Sequence, residues 1–176
     1  MKNSKNKFFV WAVIVLILAS AGYFVFNYFS KLASLPEMGE AYPIEGAAHV
    51  AEGTKIEYRT NPPSSGAHYT NPARWGVYDN MLSDGNLVHN LEHGGVWISY
   101  KSSIPASAKE KLTSLAKSYR SKVILSPRDA NDKDIAMVSW GRVYKFDLNL
   151  DGGFNENAVR DYIIKYKNTG PEIVPD

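Results

Sequence analysis

An α+β domain carried behind one N-terminal transmembrane helix is the architecture this sequence predicts, and three observations predict it. The run from Phe8 to Phe29 is almost continuously apolar, and a helix of roughly 20 such residues crosses a hydrocarbon core of about 30 Å. Beyond it, several short β-rich runs stand at intervals along the chain. Two further segments carry apolar residues at helical spacing. Two helices packed on a mainly antiparallel sheet account for that order.

Lys2, Lys5 and Lys7 precede the apolar run, and Lys31 alone follows closely. By the positive-inside bias this asymmetry keeps the N-terminus in the cytoplasm and puts the rest outside, as a single-pass protein of the cell membrane. Ala19-Ser20-Ala21 resembles a signal-peptide cleavage site. The apolar run continues through Tyr23 to Phe29, however, where a polar flank would follow such a site, which favours a retained anchor. Residues 1–30 are therefore read as cytoplasmic N-terminus and span, residues 31–41 as a tether, and residues 42–176 as an extracytoplasmic domain. The tether reading rests on Leu32 to Gly53, which holds two prolines, three glycines and four glutamates without sustained periodicity.

The chain carries 20 Lys/Arg and 18 Asp/Glu. Setting aside the three leading lysines leaves the domain slightly negative, and without a basic face nucleic acid is not the expected partner. There is no cysteine, which excludes disulfides, thiolate ligands, thiol catalysis and an S-linked lipid. The one partner indicated is the membrane, and nothing points to a particular protein.

Within the domain, Lys55 to Thr60 alternates like a short strand, and Asn61-Pro62-Pro63-Ser64-Ser65-Gly66 makes a stiff turn before His68. Val96-Trp97-Ile98-Ser99-Tyr100 reads as a strand. Pro105 opens a helix near 106–119 whose Ala108, Leu112, Leu115, Ala116 and Tyr119 form one stripe. Strands follow near 122–126, 135–140 and 143–148. Asn155 caps a last helix near 156–167, with Val159, Tyr162, Ile163 and Tyr166 on one side and Gly170-Pro171 after it.

All four histidines fall between residues 49 and 93. His89 and His93 are four apart, a spacing that returns to one face on a helix and also on a strand. With His68 on the proline-stiffened turn, they make three candidate ligands for a transition metal, copper or zinc, since neutral imidazole is the commonest protein ligand for such ions. Glu92, His49 and Met137 are further candidates: Glu92 as a fourth ligand or as the partner orienting an imidazole, His49 from the entry segment, and Met137 as a soft thioether that otherwise fills core.

His89-Asn90-Leu91-Glu92-His93 also matches H-x-x-E-H, the pattern of inverted zinc peptidases, in which the glutamate activates water. Those enzymes carry it on a long helix, whereas Gly94-Gly95 stops any helix here. Three readings therefore stand: an extracytoplasmic metal-binding protein; a metal-dependent enzyme, hydrolase or oxidoreductase, with Glu92 as the catalytic base if it hydrolyses; or a protein-interaction module at the envelope whose histidines are structural. Asp147 to Gly152 imitates the first half of a calcium loop, but its twelfth place is Ala158 and the bidentate glutamate is missing, so it is read as a turn capping the final helix. No G-x-S-x-G elbow or phosphate-binding loop occurs. Trp75, Tyr78, Trp97 and Trp140 are expected to wall a pocket or core, with Arg142 as a candidate anion contact.

Several blocks, in order, resemble one family: Asn61-Pro62-Pro63-Ser64-Ser65-Gly66-Ala67-His68-Tyr69, Gly76-Val77-Tyr78, Val88 to Gly95, Trp140-Gly141-Arg142 and Gly170-Pro171-Glu172. The family is the bacterial, membrane-anchored one catalogued as domain of unknown function 3105 (DUF3105), and the resemblance runs from about Tyr42 to Glu172. Its pattern usually reads Thr-Ser-Gly-Pro where this chain has Ser64-Ser65-Gly66-Ala67. The resemblance implies an N-terminal anchor, an extracytoplasmic domain and His68, His89 and His93 as signature positions. It implies no activity.

Overall fold

The computed structural model describes residues 2–172, 174 and 175, with side chains from residue 7 onward. The chain divides into two compact units, Met1–Pro36 and Glu37–Asp176. In the first, α1 (Lys2–Ser34) runs for 33 residues. Its stretch Lys7–Ser34 contains an 18-residue window of mean hydropathy 2.4 and is long and apolar enough to cross a membrane. Its large side chains find no core: Phe8 is 78% exposed and Phe24 71%.

The second unit is α+β. Among its described residues are β1 (Glu40–Ala41), β2 (His49–Val50), β3 (His68–Tyr69), β4 (Gly76–Val77), α2 (Asp84–Glu92) and β5 (Val96–Tyr100). There follow α3 (Ala106–Lys117), β6 (Val123–Pro127), β7 (Ile135–Ser139), β8 (Arg142–Phe146) and α4 (Glu156–Tyr166). Six strands form one sheet in the order β1-β8-β7-β5-β6-β4, and β2 and β3 form a separate parallel pair.

The sheet is mixed, and three of its five strand pairings are antiparallel, in keeping with the mainly antiparallel sheet expected. β1, β8, β7 and β5 are joined antiparallel, but β6 runs parallel to both β5 and β4. The reason lies in α3: a chain that leaves β5, climbs a helix and returns beside β5 starts again from the same end. Lys55 to Thr60 forms no strand. Its alternation serves a mostly exposed loop, in which Tyr58 Oη donates to the Ala67 carbonyl at 2.9 Å.

Side-chain alternation along the strands makes two cores. On one face, Val96, Ile98, Leu125, Ile135 and Met137 meet Leu112 and Leu115 of α3 and Val159, Tyr162 and Ile163 of α4. This is the packing that the two helical stripes predict. On the opposite face, Trp97, Ile124, Ala136 and Val138 meet Leu87 and Leu91 of α2, with Trp75, Tyr78 and Trp140 around them. The tryptophans are therefore core members on this second face.

Polar links fasten the edges. Arg128 grips Asp84, at the start of α2, through Nε at 2.9 Å and Nη2 at 2.9 Å. Arg142, read above as an anion contact, meets an internal one: its Nη2 lies 3.0 Å from Glu37 Oε2. Lys165 holds the other Glu37 oxygen at 2.9 Å, so residues 37–41 are built into the second unit and β1 pairs with β8. Asn155 caps α4 as expected, accepting from the Ala158 amide at 3.1 Å.

Leu115 is 1% exposed and Ile163 0%, so Leu115→Asp or Ile163→Asp buries a carboxylate without a partner, which costs several kcal/mol. Thermal unfolding of the full chain in detergent, followed by circular dichroism, should show the cooperative transition of the domain lost in both variants. A wild-type melting temperature in either would contradict this packing.

Candidate metal centre

The histidine cluster sits on the α2 side of the sheet, and short elements deliver each ring. The Pro-Pro turn leads into β3 through buried Ser64 and Ser65, both 0% exposed. The Ser64 amide donates to Thr60 Oγ1 at 3.0 Å, and Ser65 Oγ accepts from the Glu45 amide at 3.1 Å. This pins His68, itself 0% exposed. The β2–β3 pairing sets His49 directly opposite His68. His89 lies in the last turn of α2 and His93 is its C-cap, so the four-residue spacing acts as helical spacing and brings their ring centroids to 4.5 Å. Asn90 beside them fixes the adjoining loop, accepting from the Ala73 amide at 2.9 Å and donating to the Ala73 carbonyl at 2.8 Å.

Two backbone carbonyls decide which way the imidazoles face. His68 Nδ1 lies 2.8 Å from the Gly66 oxygen and His89 Nδ1 2.7 Å from the Tyr69 oxygen. A carbonyl only accepts, so each Nδ1 carries the proton, and in the neutral ring Nε2 is a bare lone pair. Those lone pairs point into the cluster. His68 Nε2 is 3.0 Å from Glu92 Oε2. His89 Nε2 is 3.1 Å from His93 Nε2, which in turn is 3.0 Å from Glu172 Oε2. His49 Nε2 reaches Glu92 Oε2 at 3.6 Å.

Acceptors facing acceptors are reconciled by a proton or a metal cation between them. Zinc binds imidazole nitrogen at about 2.0–2.1 Å, so neighbouring ligand atoms of a tetrahedral ion lie about 3.3 Å apart. The separations of 3.0 and 3.1 Å are close to that edge length. Burial works in the same direction, lowering the His89 pKa below its ordinary value and favouring neutral imidazole, the ligand form.

The donors fall into two groups, each with ligand atoms within 4.8 Å of one another: His49, His68 and His89, and His89, Glu92, His93 and Glu172. Of the three ligands first read from spacing, His89 is common to both groups, while His68 and His93 belong to different ones. His49, read as a secondary candidate, stands directly in the first group. Met137 lies elsewhere: it is 0% exposed on β7 among Ile98, Ile135 and Tyr162, on the sheet face turned to α3 and α4. The H-x-x-E-H segment lies on a helix of nine residues that ends at Glu92, and the Glu92 carboxylate is engaged with His68 and His49. In the calcium-like loop, Lys133 Nζ lies 2.6 Å from Asp147 Oδ2 and holds that carboxyl below its ordinary range, and Asp151 accepts from the Gly153 amide at 2.9 Å.

Glu172 is the site residue that sequence reasoning did not select, although Gly170-Pro171-Glu172 was one of the blocks carrying the family resemblance. The chain after α4 doubles back under the end of α2: the Asn168 amide donates to the Gly94 carbonyl at 2.8 Å and the Glu172 amide to the Glu92 carbonyl at 3.1 Å. Gly94 has φ +77, and a Cβ there would stand 2.9 Å from Asn168 Cα. At Gly170 a Cβ would strike the Glu92 carbonyl oxygen and the Gly94 nitrogen. Both glycines therefore permit the close approach that brings Glu172 to His93.

A family model described as "Protein of unknown function (DUF3105)" matches residues 49–175. The chain belongs to that family. The comparison with curated proteins found no match, and the comparison with solved structures found none.

Because the folded His89 takes up its proton at lower pH than the unfolded chain does, the unfolded state binds more protons in the interval between the two values. Its contribution is fully present above the unfolded value of about 6.5 and is lost as pH falls from there towards the folded value. In chelator-treated full chain, the His89 ring should titrate below 6.5 by nuclear magnetic resonance. Wild type should also lose stability relative to His89→Gln between pH 7.5 and 5.5. A His89 midpoint at or above 6.5 would contradict the burial argument.

Proposed function

We propose that this protein is a membrane-anchored, extracytoplasmic binder of copper or zinc, holding the ion in the histidine cluster around His89. The observation that carries the reading is the pair of carbonyls that accept from Nδ1–H of His68 and His89 and so aim both Nε2 lone pairs into a group of other acceptors. Outer partners that fix tautomer and ring orientation in this way are what metal-binding histidines require. The absence of cysteine fits ions that imidazole and carboxylate satisfy. His89 is the central ligand, with His68 and His49 in one group and His93, Glu92 and Glu172 in the other as the further donors.

Catalysis at the metal is the second reading, and one observation favours it. A cavity of about 380 Å³ opens beside His93 and Glu172, lined also by Lys122 and Asn168, so a small molecule can reach that side of the cluster. The buried setting of Glu92, 7% exposed and engaged by two histidines, makes it a ligand rather than a free base.

Two measurements check the proposal. Full chain purified in detergent with a histidine-free tag should take up Zn²⁺ or Cu²⁺ against a competing chelator. His68→Ala, His89→Ala and His93→Ala should each weaken uptake by about tenfold or more, and affinity should collapse below about pH 6 as protons compete for the imidazoles. Wild-type stoichiometry in the triple variant would refute the site. For orientation, protease added to intact cells should remove residues beyond the span, since Lys2, Lys5 and Lys7 hold the N-terminus inside. Protection until the membrane is breached would reverse the topology.

A further inference from the structure

The cluster offers more donors than one ion takes. His49, His68, His89, His93, Glu92 and Glu172 all present a ligand atom to it among the described residues, whereas a structural zinc site takes about four. Their division into two groups suggests how the surplus is used.

Only His89 and Glu92 stand near both groups, and their chemistry differs. His89 donates Nδ1–H to the Tyr69 carbonyl at 2.7 Å, so its one lone pair, on Nε2, serves one ion. The nearest donor to that lone pair is His93 Nε2, at 3.1 Å. Glu92 has two carboxylate oxygens. Its Oε2 lies 3.0 Å from His68 Nε2 and 3.6 Å from His49 Nε2, while the same carboxylate belongs to the group with His89, His93 and Glu172. A carboxylate shared in this way can join two ions about 3.5–4 Å apart, the separation usual in two-metal sites.

We propose that the centre is dinuclear. Glu92 bridges an inner ion held by His49 and His68 and an outer ion held by His89, His93 and Glu172. This rests on the metal-binding reading above and specifies its stoichiometry. The inner ion then has three protein donors and an open position, and the outer ion has four and borders the cavity of about 380 Å³. Two carboxylates against two divalent ions leave net positive charge at the mouth of that cavity, which suits an anionic ligand.

Stoichiometry is the direct test. Full-length chain in detergent, with a histidine-free tag, is stripped with chelator, loaded with Co²⁺ and freed of excess metal by gel filtration. The expected content is two Co²⁺ per chain, with electron paramagnetic resonance intensity per ion lower at full than at half loading, because ions joined through a carboxylate couple magnetically. His93→Gln with Glu172→Gln should leave one ion, and so should His49→Gln with His68→Gln. One Co²⁺ per wild-type chain would overturn the dinuclear centre while leaving the metal-binding reading intact, and none would overturn both. Two ions with strictly additive resonance intensity would overturn the Glu92 bridge. The wild-type measurements need no variant to fold.

Discussion

The site depends first on the hydrogen bonds from His68 to the Gly66 carbonyl and from His89 to the Tyr69 carbonyl. Both acceptors belong to the same short stretch of backbone, the turn into β3 and β3 itself. That stretch therefore presents one imidazole, orients a second, and by pairing with β2 lays a third, His49, alongside. Without those carbonyls either ring could carry its proton on Nε2, and Glu92 and His93 would meet donors. With the carbonyls behind them, the rings turn lone pairs inward, and the cluster is a basket of acceptors.

The rest of the fold holds this arrangement rigid from two sides. Trp97, Ile124, Ala136 and Val138 give α2 an apolar bed for Leu87 and Leu91, while Arg128 clamps its first residue, Asp84. Helix α2 then ends where Gly94 lets the chain turn, and the segment after α4 returns through Gly170 to seat Glu172 against His93. Helices α3 and α4 pack on the far face. They stabilise the sheet on which α2 rests, so their effect on the site is indirect.

How far this was legible in the sequence differs by element, for physical reasons. The stripes of α3 and α4 and the strands β5 to β8 could be read because each buries a repeating pattern against a neighbour. Leu112, Leu115, Val159 and Ile163 sit in the core as their spacing predicts. Strand direction could not be read, because alternation in β5 and β6 is the same whether they run parallel or antiparallel. The α2 segment was ambiguous too, since a four-residue spacing brings His89 and His93 to one face in either helix or strand. His49 and Glu172 enter through tertiary contacts, a two-residue strand pairing and a chain reversal, which leave almost no local pattern. Met137 shows the converse: its chemistry suits a metal, but its parity on β7 turns it to the apolar face.

X-ray absorption at the metal edge of loaded full-length protein tests the central claim most directly. The account predicts a first shell of nitrogen and oxygen only, at about 2.0–2.1 Å for zinc, with the multiple-scattering signature of at least two imidazoles. A spectrum without imidazole scattering, or with a sulfur shell from methionine, would contradict it.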